Sequence, residues 1–476
     1  MRTSMHNDEL WYASAVNLQQ MLRSKQISAV ELLAACEARI AQLNPQVNAI
    51  VTLTLETAYE QAQAADAALA RGVPPGALHG LPIAHKDLVP TRGIRTTFGS
   101  PIYRDFVPDR DALIIERMRA AGAITIGKTN TPEFGAGSQT FNTLFGATRN
   151  PYDPTKTCGG SSGGAAVALA CGMIPLADGS DSGGSLRNPA AFCNVVGLRP
   201  APGRVAEISD RAAWQTLSVE GPMARNVEDA ALLLSVLAGP DPRAPIAIRE
   251  SGAQFAAPLE RDMRGTRIAW CPDLGGSFPL DPQIAAVLAT RRATFAALGC
   301  DIADTAPDFS GADEAFKILR AMGFELGYGE LLDHHRDQIK DTVIWNVEQG
   351  RALTGPQIGR AERLRTALYH RVREFMEQYE FLVLAVTQVP PFDIQQPYIT
   401  EIAGTPMETY IDWMRSCYYI SITGLPAISV PAGFTAEGLP VGIQIVGRHQ
   451  NELGVLQLAY AFQQATGIGR QRPPLG

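Results

Sequence analysis

Apolar positions in this chain change their spacing along its length, and each change marks an element. Near the amino terminus they recur at helical spacing: Ser28 followed by Glu31 makes a capping-box signal ahead of ELLAACEARIAQL, and Thr57 to Arg71 is an Ala/Glu/Gln-rich helical segment. Residues 1–75 are therefore expected to form a helical amino-terminal part. From Leu81 onward short apolar runs, LPIAHKD, AITIGKTN and MIPLADG, alternate with helical stretches such as DALIIERMRAAG and GGAAVALACG. That alternation predicts a mainly parallel or mixed sheet layered with helices. After Asn226 come a helix (VEDAALLLSVLAG), a strand (TRIAWC) and a long helical stretch from Asp281 to about Tyr379 with few strand signals. Residues 240–380 are expected to be a mainly helical layer or insertion that shapes the substrate pocket. The tail returns to strands in FLVLAVTQVP, PAISVPAG and VGIQIVG and closes on the helix ELGVLQLAYAFQQA. With no repeat or low-complexity linker, the expectation is one α/β domain over 1–476, a large mixed β-sheet covered by helices on both faces.

Composition narrows what such a domain does. The chain has 476 residues, 46% hydrophobic and 19% charged, and 41 basic against 48 acidic residues give a net charge of −7. Disorder and collagen-like structure do not fit these values, and no Lys/Arg run offers a phosphate-neutralising surface, so no nucleic-acid partner is expected. The seven cysteines are dispersed without a CxxC pair, which is not a disulfide framework. No segment reaches 18 uninterrupted apolar residues and no apolar run follows a basic head at the start. A cytoplasmic protein without signal peptide or membrane span is the expectation.

Chemistry concentrates where glycine does. CGGSSGG at Cys158 to Gly164 is followed by GSDSGGSLR at Gly179 to Arg187, two glycine-bracketed serine clusters flanked by apolar segments. Surface turns have the same composition but leave the apolar flanks unexplained. Glycine lets backbone N–H groups approach a reacting atom, so Ser182 to Ser185 could surround a developing oxyanion while presenting Ser185 as nucleophile. Ser161 could relay a proton, since a hydroxyl both donates and accepts. The missing part is a base. Gly159 to Gly163 formally matches the G-x-S-x-G elbow of Ser-His-Asp α/β-hydrolase esterases, which needs a later histidine, here His334, His335, His370 or His449. Asp181 to Gly184 is like the active-serine run of chymotrypsin-type proteases, but an alternating αβ chain does not fit two β-barrels. Lys86, in the apolar stretch HGLPIAHKDLVP, supplies another answer: a desolvated lysine is neutral near pH 7 and can accept a proton. A salt bridge to Asp87 is its simpler structural role.

Taken together these motifs resemble the amidase signature family of serine amidohydrolases. The resemblance rests on HGLPIAHKD around Lys86, CGGSSGG around Ser161, GSDSGGSLR around Ser185 with AAFCNVVGLRP beyond it, GLPAISVPAG and EGLPVGIQIVG, from about 80 to 447. It implies the amidase signature fold and a Ser185–Ser161–Lys86 triad: Ser185 attacks the amide, Ser161 bridges and protonates the leaving amine, and Lys86 is the base. It also implies a supporting Ser162, an oxyanion hole of the N–H groups of Ser182, Gly183, Gly184 and Ser185, and a cis Gly160–Ser161 peptide. Asp181 and Arg187 are expected to pair and brace the loop, and Cys158, Cys171 and Cys193 to pack. No cofactor or metal is expected, the chain offering neither HExxH nor a Cys/His cluster.

The implied reaction is hydrolysis of a small carboxylic-acid amide, aryl, aliphatic or oligoamide, through an acyl-serine to a carboxylate and ammonia or an amine. The family also contains the glutaminase subunit of the tRNA-dependent amidotransferase. This chain departs from the pattern of that glutaminase in GRALTGPQIGRAERLRTALYHRVREF and in YIDWMRSCYYISIT. The departures point to a protein acting alone or as a homo-oligomer on a small-molecule amide. Tyr410, Trp413, Tyr418 and Tyr419 are candidates for an aromatic pocket wall, and equally for a core stripe.

Overall fold

Eleven short strands form one mixed sheet in the computed structural model, which describes residues 7–475. In chain order they are β1 (Ile50–Leu53), β2 (Pro82–Lys86), β3 (Ile124–Thr129), β4 (Leu176–Asp181), β5 (Val196–Arg199), β6 (Val219–Ala224), β7 (Arg267–Trp270), β8 (Asp301–Asp304), β9 (Phe381–Ala385), β10 (Ala427–Phe434) and β11 (Pro440–Gly447). Across the sheet they run β1-β3-β2-β4-β6-β5-β10-β11-β9-β7-β8. β2 is parallel to β3, with Lys86 opposite Thr129, and meets β4 at Ile83 and Leu176. β4 and β6 are antiparallel, which sets Ser180 opposite Glu220. Strands β2, β3 and β9 are buried along their whole length, as expected of runs covered on both faces.

The helices cover this sheet. α1 (Ala29–Val47) begins at the capping box, with the Ser28 hydroxyl accepting from the Glu31 N–H and the Glu31 carboxylate accepting from the Ser28 N–H. α2 (Leu55–Ala70) packs on α1 and β3. α3 (Gly163–Ala170) is buried at every position, and its sequence of small residues is what permits this. A Cβ at Gly164 would lie 2.4 Å from the backbone nitrogen of Asn130, so the helix start can press on the end of β3 only as glycine. Other helices include α4 (Arg187–Phe192), α5 (Val227–Leu237), α6 (Ala312–His335), α7 (Asp341–Arg351), α8 (Gly355–Gln378), α9 (Arg415–Thr423) and α10 (Glu452–Thr466).

Two regional expectations are modified. The amino-terminal part contributes the edge strand β1 as well as helices, and residues 1–6 of it lie outside the described residues. Region 240–380 carries α6, α7 and α8 as anticipated, but also β7 and the unanticipated β8, which extend the sheet at its far edge. β8 reads DIAD and is bordered by exposed aspartates, so it lacks the apolar run that announces a buried strand. Among the described residues no helix is long and apolar enough to cross a membrane.

Candidate active site

β2 ends on Lys86, and the sheet register fixes where that residue points. Its backbone N–H donates to Asp178 Oδ2 on the neighbouring β4 at 3.1 Å, while His85 Nδ1 lies 2.7 Å from Asp178 Oδ1. The fully buried Nζ is 2.7 Å from Ser161 Oγ, 2.9 Å from Ser162 Oγ and 3.0 Å from Ser180 Oγ. Three hydroxyls thus converge on one amine. Burial pushes Lys86 down to about 7, against the opposing pull of Asp181, Asp178 and Glu220. At neutral pH a substantial fraction is therefore the free amine, able to accept a proton from Ser161.

The first serine cluster is held from both sides. The Gly160–Ser161 peptide is cis. Ser138 Oγ donates to the Gly160 carbonyl at 2.7 Å and Thr140 Oγ1 to that of Gly159 at 2.9 Å. The Ser162 N–H donates to the Ser185 carbonyl at 3.2 Å, which ties the first cluster to the second. Cys158 is buried, with its thiol pushed up to about 12 by that burial, so it is a packing residue.

The second cluster follows β4 and is organised by Asp181. Its Oδ1 accepts from the Gly184 N–H at 2.8 Å and its Oδ2 from the Leu186 N–H at 3.1 Å. Arg187 grips both oxygens, Nη2 to Oδ1 at 2.9 Å and Nε to Oδ2 at 3.0 Å, and Arg199 Nη1 reaches Oδ1 at 3.2 Å. Burial alone would raise the Asp181 carboxyl. The two guanidinium groups outweigh it and hold it well below the usual carboxylate range. Asp181 and Arg187 are paired in the loop's foundation, and neither lines the cavity described below.

This bracing changes one expected oxyanion donor. Ser182, Gly183 and Ser185 line the cavity, and among the described residues nothing accepts a hydrogen bond from their N–H groups. Gly184 is buried behind them with its N–H already given to Asp181. At φ +121°, with Cys417 Cβ 2.7 Å from where a Cβ would stand, Gly184 serves the turn rather than the oxyanion.

Ser161, Ser180 and Ser185 open onto a cavity of about 300 Å³. Its apolar wall comes from Leu88, Phe134, Phe316, Phe324, Tyr328 and Met414, and its polar groups include Gln215, Ser218, Glu207, Glu220 and Arg320. The expected aromatic quartet is elsewhere. Tyr410, Trp413, Tyr418 and Tyr419 are buried in the main core and do not line the cavity. They act from behind, Tyr418 stacking on Phe316 with centroids 4.3 Å apart and the Tyr410 hydroxyl accepting from Arg320 Nη2 at 2.8 Å. Sequence reasoning missed Ser180, the two glutamates and the α6 aromatics. Phe316, Arg320, Phe324 and Tyr328 recur every four residues along α6, a stripe legible in principle. None of His334, His335, His370 and His449 lines the cavity, so the elbow reading finds no base there.

Comparison with known proteins identifies the family. The amidase family model matches residues 31–456. An acylamidase of Rhodococcus erythropolis is 35% identical over 473 residues, covering 98% of each chain. A glutamyl-tRNA(Gln) amidotransferase subunit from Moorella thermoacetica is also 35% identical, over 492 residues, covering 98% of this chain and 99% of its own. A solved bacterial aryl acylamidase of the amidase signature enzymes superimposes with a TM-score of 0.91 at 29% identity, covering 97% of this chain and 99% of that one.

Proposed function

The chain belongs to the amidase signature family of hydrolases, and from that premise we propose that it cleaves a small amide with an apolar or aromatic portion through an acyl-enzyme on Ser185. The observation that carries this reading is the buried Lys86 amine, 2.7 Å from Ser161 Oγ, behind a cavity whose opposite wall is aromatic. Lys86, as the free amine, takes the proton of Ser161 while Ser161 takes that of Ser185. Ser185 Oγ then bonds to the amide carbon. The carbonyl oxygen becomes an anion received by the N–H groups of Ser182, Gly183 and Ser185. As the carbon–nitrogen bond breaks, the proton returns through Ser161 to the leaving amine. Water, deprotonated by the same chain, attacks the acyl-serine and releases the carboxylate. Ser162 and Ser180 keep Nζ aimed at Ser161.

Glutaminase activity within an amidotransferase is the second reading, favoured by the equal 35% identity to the Moorella protein. The two stretches that depart from the glutaminase pattern contribute one cavity residue, Met414. Discrimination therefore rests on the α6 wall, where Phe316 and Phe324 favour an apolar group over the polar glutamine backbone. We read the chain as acting by itself, or as a homo-oligomer, in the cytoplasm. Its test is a hydrolysis panel on the purified chain: anilides, short aliphatic amides, linear and cyclic oligoamides and glutamine, scored per serine titrated with a covalent inhibitor. Selective turnover of an anilide, aliphatic amide or oligoamide supports the proposal. Inertness toward all of them, with glutaminase activity appearing on addition of partner subunits and charged tRNA, refutes it.

A further inference from the structure

Several fully buried carboxylates in this protein are braced by donors on neighbouring elements. Asp178 holds His85 and the Lys86 N–H, and Asp181 holds Arg187 and Arg199. Asp229 accepts from the Ala15 and Val16 N–H groups, and Glu452 from the Ala201 N–H and Arg204. Glu207, which is exposed, and Glu220, which is half-buried, have no such donors. Both line the catalytic cavity, and among the described residues neither carboxylate has a hydrogen-bond or ion-pair partner. Arg320 is the one Arg or Lys among the lining residues, and it is already committed, stacked 4.3 Å over Phe324 and bonded to the Tyr410 hydroxyl. Glu220 stands opposite Ser180 in the β4–β6 register, beside the Lys86 end of the cavity. Glu207 stands where the cavity adjoins a second one of about 250 Å³ that shares Glu207, Gln215, Ser218, Gly323 and Tyr328. Two acidic groups therefore lie along one path that begins at the reacting serines and continues past the aromatic wall.

We propose that Glu207 and Glu220 are specificity-determining residues that receive a protonated amine on the substrate, so that the preferred amides carry an alkylammonium arm besides the scissile bond. This rests on the amide-hydrolase reading above and names the substrate class within it. Two carboxylates lining one cavity repel, and Glu220 is held above its usual range by burial together with Glu207 and Asp178. An ammonium placed between them relieves the repulsion and supplies the missing donors, which a neutral arm of the same shape cannot do. The apolar stem of such an arm would lie along Phe316, Phe324 and Tyr328.

The test uses matched pairs differing only in replacement of a terminal ammonium by methyl. One series places the arm on the acyl side, as ω-aminoacyl anilides against alkanoyl anilides. The other places it on the amine side, as N-(ω-aminoalkyl)benzamides against N-alkylbenzamides. The readout is the ratio of kcat/KM, cationic over neutral, at one pH, so any effect of Glu220 on Lys86 cancels. In one series the ratio is expected to exceed about tenfold for the unaltered enzyme and to fall by about tenfold or more in Glu207→Gln and in Glu220→Gln. Calorimetry on Ser185→Ala, which needs no turnover and leaves both glutamates in place, should show tighter binding of the cationic member. A ratio near one in both series, a ratio indifferent to both glutamates, or equal binding to Ser185→Ala would overturn the inference. Continued hydrolysis of the neutral amides would then leave the amidase reading standing.

Discussion

Full burial sets Lys86 up to hold its proton weakly, while three hydroxyls within 3.0 Å fix where its amine points. The proposed role of Lys86 as base requires the neutral amine, so kcat/KM should rise with pH through a limb near 7, the value to which burial lowers it, and level off above. A limb at about pH 9 to 10 would mean that the amine is not desolvated in solution. Lys86→Ala should cost about 10²- to 10⁴-fold in kcat/KM while the far-UV spectrum stays that of the parent. That Lys86 meets Ser161, and that Ser161 and Ser185 share one cavity, could be anticipated because each residue sits in a short motif whose glycines and apolar flanks constrain it locally. Ser180 was not singled out, because nothing local tells that its hydroxyl, rather than a neighbour's, faces the amine. Gly184 was legible as a glycine that must be there, but not as a residue whose N–H is consumed by Asp181.

Among elements, the turn from β4 into α4 is held by buried charge. Arg187 gives Asp181 two hydrogen bonds and also reaches Gln444 and Ser421, joining the Ser185 loop to β11 and α9. Replacing it leaves a buried carboxylate with one cation fewer, and Arg187→Met is expected to lose about 3–5 kcal/mol of stability in denaturant titration. A loss within error of zero would show that Arg199 alone suffices. α6 makes the opposite kind of contribution. Phe324 is half-buried, so Phe324→Ala should cost little stability yet raise KM for an anilide about tenfold, with a much smaller change for acetamide. Equal effects on both amides would remove Phe324 from the apolar subsite. The helical nature of 312–335 was predicted from the sequence. Which face of it looks into the cavity depended on α7, α8 and α9 packing against it, and the Tyr410 to Tyr419 aromatics competed for the same role with equal local merit.

Over the whole molecule, buried titratable groups tie stability to pH. Lys86 and Lys128 are both fully buried, and desolvation lowers them to about 7 and about 8. Above those values the folded chain has released protons that the unfolded chain keeps until about pH 10, so stability rises with pH there. Buried thiols work the other way. Cys36, Cys158, Cys171 and Cys417 are pushed up to about 12 by burial, so above about pH 8.5 the unfolded chain ionises first and stability falls. Urea midpoints should climb from about pH 7 to a maximum between about 8 and 9 and decline beyond. Lys128→Met, which removes an amine held by the Val89 carbonyl and Thr91, should flatten the alkaline part of the climb. A monotonic profile through about pH 10 would contradict this balance.

Sequence alone determined the strand on which Lys86 lies, the two serine clusters, the small-residue helix behind them and the family, because these depend on backbone conformation and burial within a few residues. The capping box, the fully apolar strands and the glycines that admit close backbone approach are all local conditions. Tertiary structure decided everything that requires distant segments to share one volume. It brought Ser180, Glu207 and Glu220 into the cavity that Ser161 and Ser185 line, chose the α6 aromatics over the Tyr410 to Tyr419 stretch for its wall, and spent the Gly184 N–H on Asp181. It also added β8 to the sheet edge, where pairing with β7 supplies the strand that DIAD does not announce. An amphipathic stripe encodes that a face is covered, whereas what covers it, core or substrate, is set by the shape left when the whole sheet and its helices have packed.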